Sequence, residues 1–144
     1  MDESKSIKNT VVGLLKASCK AETLLEKALK PKNLTLQQFI VLRILRGMKG
    51  KPANLNTIQV RMIYKMSNTS RLIDKLIDKK LVKRNLCKEN RRKVEIFITE
   101  KGITLLSELD KKVESTEVEI LKPLDIDSQK KLRKLLNKIN LIKQ

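Results

Sequence analysis

Ser67-Asn68-Thr69-Ser70-Arg71-Leu72-Ile73-Asp74-Lys75-Leu76-Ile77-Asp78-Lys79 is the stretch on which the reading of this chain turns. Its apolar residues Leu72, Ile73, Leu76 and Ile77 recur at i, i+1, i+4 and i+5, which aligns them in one stripe along a helix. Ser70, Arg71, Asp74, Lys75, Asp78 and Lys79 fall largely outside that stripe, and Ser67 or Asn68 is suited to cap the helix start. The spacing therefore predicts a helix with one buried and one wet face. Asn68, Thr69, Ser70 and Arg71 are residue types that reach base edges when a helix N-terminus enters the major groove, and such an end also offers backbone N–H groups to phosphate. Taken alone, the tract is equally a capped and solvated helix.

Upstream, a short helix near residues 57–65 is expected, with Ile58, Met62, Val60 and Ile63 inward. Before it, Thr35-Leu36-Gln37-Gln38 has the Thr-x-x-Gln form of a capping box. Phe39, Ile40, Val41, Leu42, Ile44, Leu45 and Met48 then cover most of a helix circumference, as in a helix enclosed by others. Gly47 and Gly50-Lys51-Pro52 close it. A first amphipathic helix over residues 6–29 carries Ile7, Val11, Leu14, Leu15, Leu25 and Leu29, ended by Pro31 and Asn33.

Downstream the period changes. Val94, Ile96 and Ile98 alternate with Glu95, Phe97 and Thr99, and residues 81–87 form a less regular strand, which together predict a two-stranded hairpin. Its connection, Lys88-Glu89-Asn90-Arg91-Arg92-Lys93, lacks a tight-turn signature and reads as a longer, basic, projecting loop. Such a loop is suited to an adjacent minor groove, where Arg is drawn to concentrated negative potential. A solvated charged turn is the alternative. Thr99 is placed to cap a helix bearing Ile103, Leu106, Leu109, Val113 and Ile120 and stopping near Pro123, and a last helix after Asp127 carries Leu132, Leu135, Leu136, Ile139 and Ile142. The expected fold is mostly α with a small β-hairpin (α+β). It is organised as a single domain over 1–144, with a DNA-binding lobe at 34–101 and flanking helices at 5–30 and 102–143.

Thirty-three Lys and Arg against sixteen Asp and Glu give a net charge of +17, which points to a polyanionic partner. Residues 31–101 hold 18 Lys and Arg against 5 Asp and Glu, while the remainder hold 15 against 11, so the excess sits in the middle of the chain. No apolar run reaches the roughly 18 residues of a membrane span, and the acidic start is unlike a signal peptide; a cytoplasmic location is expected. With no His and only Cys19 and Cys87, a Cys/His zinc site is excluded and a disulfide framework is not expected. His-based catalysis is impossible, and no glycine-rich phosphate loop or nucleophile motif is present, so no enzyme and no cofactor is expected.

Residues 34–109 resemble the MarR (multiple antibiotic resistance regulator) family. The likeness is carried by Ser67–Leu76, by Lys80-Leu81-Val82-Lys83-Arg84 and by Ile98-Thr99-Glu100-Lys101-Gly102. It implies a winged helix-turn-helix transcription regulator in which Asn68, Thr69, Ser70, Arg71 and Lys75 face the major groove. The wing residues Arg91, Arg92 and Lys93 would meet DNA beside it, with Arg92 in the minor groove. The family's wing usually reads Asp-x-Arg, whereas this chain reads Asn90-Arg91-Arg92. The resemblance also implies a homodimer formed by the N- and C-terminal helices, repression at a near-palindromic promoter site, and a small-molecule effector bound between those helices and the DNA-binding lobe. Packing of the terminal helices within one chain is the alternative to a dimer. Cys19, four residues after Leu15 on the apolar side, reads as buried packing; redox sensing is the second reading, because some family members sense peroxide through a first-helix cysteine. Against sequence-specific regulation stands a winged-helix module that binds protein, or that coats nucleic acid without reading bases.

Overall fold

The computed structural model describes residues 2–63, 68–89 and 93–141. Helix α1 (Glu3–Leu29) runs through a 3-10 turn (Lys30–Lys32) to α2 (Leu36–Gly47). Then follow α3 (Leu55–Arg61), α4 (Thr69–Asp78), the antiparallel strands β1 (Val82–Leu86) and β2 (Val94–Ile98), α5 (Glu100–Leu121) and α6 (Ile126–Asn140). The two strands pair in the register Val82↔Ile98 to Leu86↔Val94.

The helix starts are written in local chemistry. Thr35 accepts from the Gln38 backbone N–H at 3.1 Å while Gln38 Oε1 accepts from the Thr35 N–H at 3.2 Å, completing the expected capping box. Asn54 caps α3 through Thr57 at 2.7 Å, and Thr99 caps α5 through Gly102 at 3.1 Å. Asp125 accepts from Ser128 at 2.7 Å, so α6 begins at Ile126, two residues earlier than a start after Asp127. The Ser128 hydrogen bonds hold the Asp125 carboxyl below its usual range.

One core joins these elements. Val41, Leu42 and Leu45 of α2, Ile58 of α3, Ile73 and Leu76 of α4, Ile96 of β2, and Leu106, Leu109 and Val113 of α5 are buried together with Leu29. Helix α2 passes through the middle, as its nearly all-round apolar surface predicts. Ala53 and Ile96 exchange two backbone hydrogen bonds, at 3.0 and 2.7 Å, so the segment before α3 adds an extra rung to the hairpin. Arg46 of α2 meets Asp110 of α5 through two parallel hydrogen bonds of 3.0 and 3.1 Å, fastening the lobe to the long helix.

Three expectations about the core are corrected. Val60 and Ile63 are 75% and 71% exposed rather than inward. Helix α3 stops at Arg61 and Met62 turns extended, so the buried Met62 and the exposed Ile63 no longer follow a helical period. Ile103 is exposed on α5, and only Leu106, Leu109 and Val113 of its apolar set are buried. Cys19 is exposed, because α1 buries only Ala28 and Leu29 and its first two-thirds project beyond the core. The terminal apolar faces are not covered by the described residues, as packing within one chain, the alternative to a dimer, would require: Ile7, Val11, Leu14 and Leu15 are exposed, and α6 has no buried residue.

Candidate nucleic-acid interface

The face expected to read DNA is built by α4 and what supports it. Leu72, Ile73 and Leu76 anchor the helix in the core, leaving Asn68, Ser70, Arg71 and Lys75 exposed on the opposite side. Thr69 departs from them. It is buried, and its Oγ1 has no hydrogen-bond partner among the described residues. Asn68 stands at the N-cap without a side-chain capping bond, so its amide is not committed to the helix it precedes.

A buried hydroxyl without a partner costs free energy, whereas the isosteric methyl does not. Thr69→Val is accordingly expected to raise the unfolding free energy by about 1 kcal/mol, read from the urea midpoint, with DNA affinity unchanged. A fall in affinity without a fall in stability would show that the Thr69 hydroxyl acts at the DNA surface.

The rest of the frame fixes α4 against the wing. Arg84 of β1 donates to Asp74 Oδ1 at 3.0 Å, which both ties helix to strand and offsets the carboxylate on the wet face. Lys80, at φ 62°, ends the helix in the left-handed region, and Leu81 N–H returns to the Leu76 carbonyl at 3.0 Å. Lys79 donates to the Asn33 carbonyl and to Gln38 Oε1, while its own carbonyl accepts from Lys101 at 3.2 Å. The C-terminal end of α4 is thereby tied to the starts of both α2 and α5.

Of the wing residues, Lys93 is exposed, and its carbonyl accepts from Cys87 N–H at 2.9 Å, one step beyond the paired strands. Asn90, Arg91 and Arg92 lie outside the described residues. One neighbour of α4 was not anticipated. A hollow of about 250 Å³ is lined by Asn68, Arg71, Leu72 and Lys75 together with Gln37, which comes from the first turn of α2. Nothing in the sequence around Gln37 signals this beyond its being the polar one of the capping box's two uncommitted positions. Among the described residues, no group of three or more His, Cys, Asp or Glu is arranged to hold a metal ion, and no helix is long and apolar enough to cross a membrane.

The family model of the transcriptional regulator SarA/Rot matches residues 23–109, more than half of the chain and all of the frame just described. The chain belongs to the SarA/Rot family. Its fold is that of MarR regulators, in keeping with the resemblance carried by Ser67–Leu76, Lys80–Arg84 and Ile98–Gly102. A mutant of Escherichia coli MarR complexed with operator DNA superposes with a TM-score of 0.85 at 23% identity, over 96% of this chain and 99% of that one. Bordetella bronchiseptica BpsR, whose DNA binding is regulated by 6-hydroxynicotinic acid, gives 0.82 at 22% identity, over 90% and 91%. A MarR transcription factor from Planctomyces limnophilus gives 0.72 at 27% identity, over 94% and 96%. This SarA/Rot protein is thus a DNA-binding transcription regulator with a MarR-like winged helix, and both its family and its fold are those of regulators rather than enzymes.

Proposed function

We infer that this SarA/Rot regulator is a homodimeric repressor that reads a near-palindromic duplex site. The observation that carries the reading is the division of α4 into a buried stripe and a face of Asn68, Ser70, Arg71 and Lys75 that no other described element covers. Inserted in the major groove, that face supplies a guanidinium for guanine and an amide for adenine. Arg91, Arg92 and Lys93 follow the groove from the wing, with Arg92 in the minor groove. Thr69 supports the helix from beneath. The uncovered stripes on α1 and α6 form the dimer interface, which sets two copies of α4 on successive groove turns about 34–36 Å apart. Occupancy of promoter DNA then excludes the transcription machinery.

Arg71→Ala tests the reading role. Affinity for the preferred site should fall by about 1–3 kcal/mol, with preference relaxed at one base position in each half-site. Equal losses on all duplexes, measured by titration across single-base variants, would reduce Arg71 to a phosphate contact and favour a non-specific coater.

An effector response is favoured by a second observation. A crevice of about 480 Å³, within the size range of ligand sites, opens between the 3-10 turn, the end of α4 and the start of α5. Lys32, Lys79 and Lys101 line it against the single acid Glu108, and Lys32 pairs with Glu108 at 3.1 Å. An anionic effector there would compete for Lys79, the side chain that ties α4 to α2. Of the two signals expected from the sequence, ligand and oxidation, this geometry supports the ligand; Cys19 stands on α1, away from the crevice's lining.

A further inference from the structure

We propose that Gln37 of α2 is a second, separate anchor for DNA, donating its side-chain amide to a backbone phosphate at the edge of the groove that Arg71 enters. The inference rests on the reading of α4 as the recognition helix and adds to it a residue from a different element.

Gln37 stands some thirty positions before α4 in the chain, yet the fold brings it into the same hollow as Asn68, Arg71 and Lys75. Four of the hollow's five lining residues end in polar groups, and Leu72 is the one apolar residue among them. Arg71 and Lys75 are donors only, so the ligand that suits the hollow is rich in acceptors and anionic. Phosphate oxygens meet that description, and Gln side chains and helix N-termini are among the groups that hold the backbone in protein–DNA complexes; Gln37 lies in the first turn of α2. Among the described residues Gln37 is spared other duties: Gln38, not Gln37, completes the capping box and receives Lys79. The hollow on the other side of Gln37 is lined by Glu22 and Glu26 of α1 with Thr35 and Leu36. Carboxylates there repel a phosphate backbone, so Gln37 marks the edge of the DNA track, with cations on one flank and acids on the other.

A neutral donor at a phosphate has a distinctive signature. Gln37→Ala should weaken binding roughly tenfold, as for loss of one hydrogen bond to a charged group, and by the same factor on every duplex sequence. The dependence of affinity on salt should be unchanged, since no cation has been removed. Gln37→Glu places a charge against the phosphate, so it should weaken binding further and make the salt slope shallower by about 0.9 per site. Both variants, with wild-type protein and Arg71→Ala, are titrated against duplex DNA at several salt concentrations, and folding is checked by circular dichroism. Wild-type affinity in both Gln37 variants, alongside a weakened Arg71→Ala, overturns the anchor while leaving the recognition helix intact. A loss confined to one base position in Gln37→Ala overturns the phosphate assignment. If Arg71→Ala also binds like wild type, the reading of α4 itself fails, and the anchor with it.

Discussion

Gly102→Ala should lower the unfolding free energy by about 2–3 kcal/mol, the upper part of the usual range for overpacking. The sign is opposite to the general rule, under which Ala in place of a helical Gly adds up to about 1 kcal/mol. Gly102 is buried in the first turn of α5, where a Cβ would lie 2.5 Å from the Leu81 carbonyl oxygen and 2.7 Å from Ile98 Cγ1. The carbonyl cannot step aside cheaply, because it accepts the Thr99 N–H at 3.0 Å, the bond that closes the end of the hairpin onto the end of α4. Thr99 Oγ1 in turn donates to the Lys80 carbonyl and caps α5 through Gly102 itself. A Cβ here therefore pries apart three elements at once: the exit of α4, the base of the wing and the entry of α5. Gly47→Ala is the control, since no atom lies within 4 Å of its Cβ position and it closes α2 without a positive φ. Urea unfolding of both variants at one protein concentration checks the contrast; equal stability of the two would refute the close approach at Gly102.

Val11→Glu combined with Leu15→Glu should convert the protein to a monomer and lower operator affinity by about 10²–10⁴, the gain that joining two binding heads typically provides. Ile7, Val11, Leu14 and Leu15 recur at i, i+4, i+7 and i+8, one face of α1, and all four are exposed, Leu15 at 63%. Leu135 and Ile139 present a second uncovered stripe on α6. Burying such stripes against a second copy removes apolar area from water at about 25 cal/mol per Å², whereas two carboxylates per chain, meeting their symmetry mates, reverse the sign. Because neither side chain belongs to the core, helix content should be retained. Sedimentation at micromolar concentration and a titration of operator DNA report the two effects. The monomer should bind half-sites with a salt slope near half that of the dimer, because half the phosphate contacts remain. A persistent dimer with undiminished affinity would place the interface elsewhere.

What the sequence discloses is what is encoded locally. Thr35 with Gln38, Thr99 with Gly102, and the stripe of Leu72, Ile73 and Leu76 need only a few residues each, and all three appear where their spacing puts them. The burial of Thr69 was also legible: 69, 72, 73 and 76 are i, i+3, i+4 and i+7, one helix face, and only the hydroxyl disguised it as a surface residue. The errors at Ile63 and Cys19 share another cause. Apolar periodicity says that a face seeks cover, but not whether the helix continues or whether the cover lies within the same chain. At Ile63 the helix has already ended, and at Cys19 the core has not yet begun. Gln37, the Ala53–Ile96 rung and the Lys79 ties depend on contacts between distant segments, which no local pattern announces.

Selection of bound sites from random duplex DNA at physiological salt tests the central claim most directly. A dimeric sequence reader enriches a two-fold-symmetric motif whose half-sites lie one helical turn apart, and Arg71→Ala blurs one position in each half. Binding that weakens with salt but enriches no motif would contradict sequence-specific regulation and leave the basic face of α4 as a phosphate-binding surface alone.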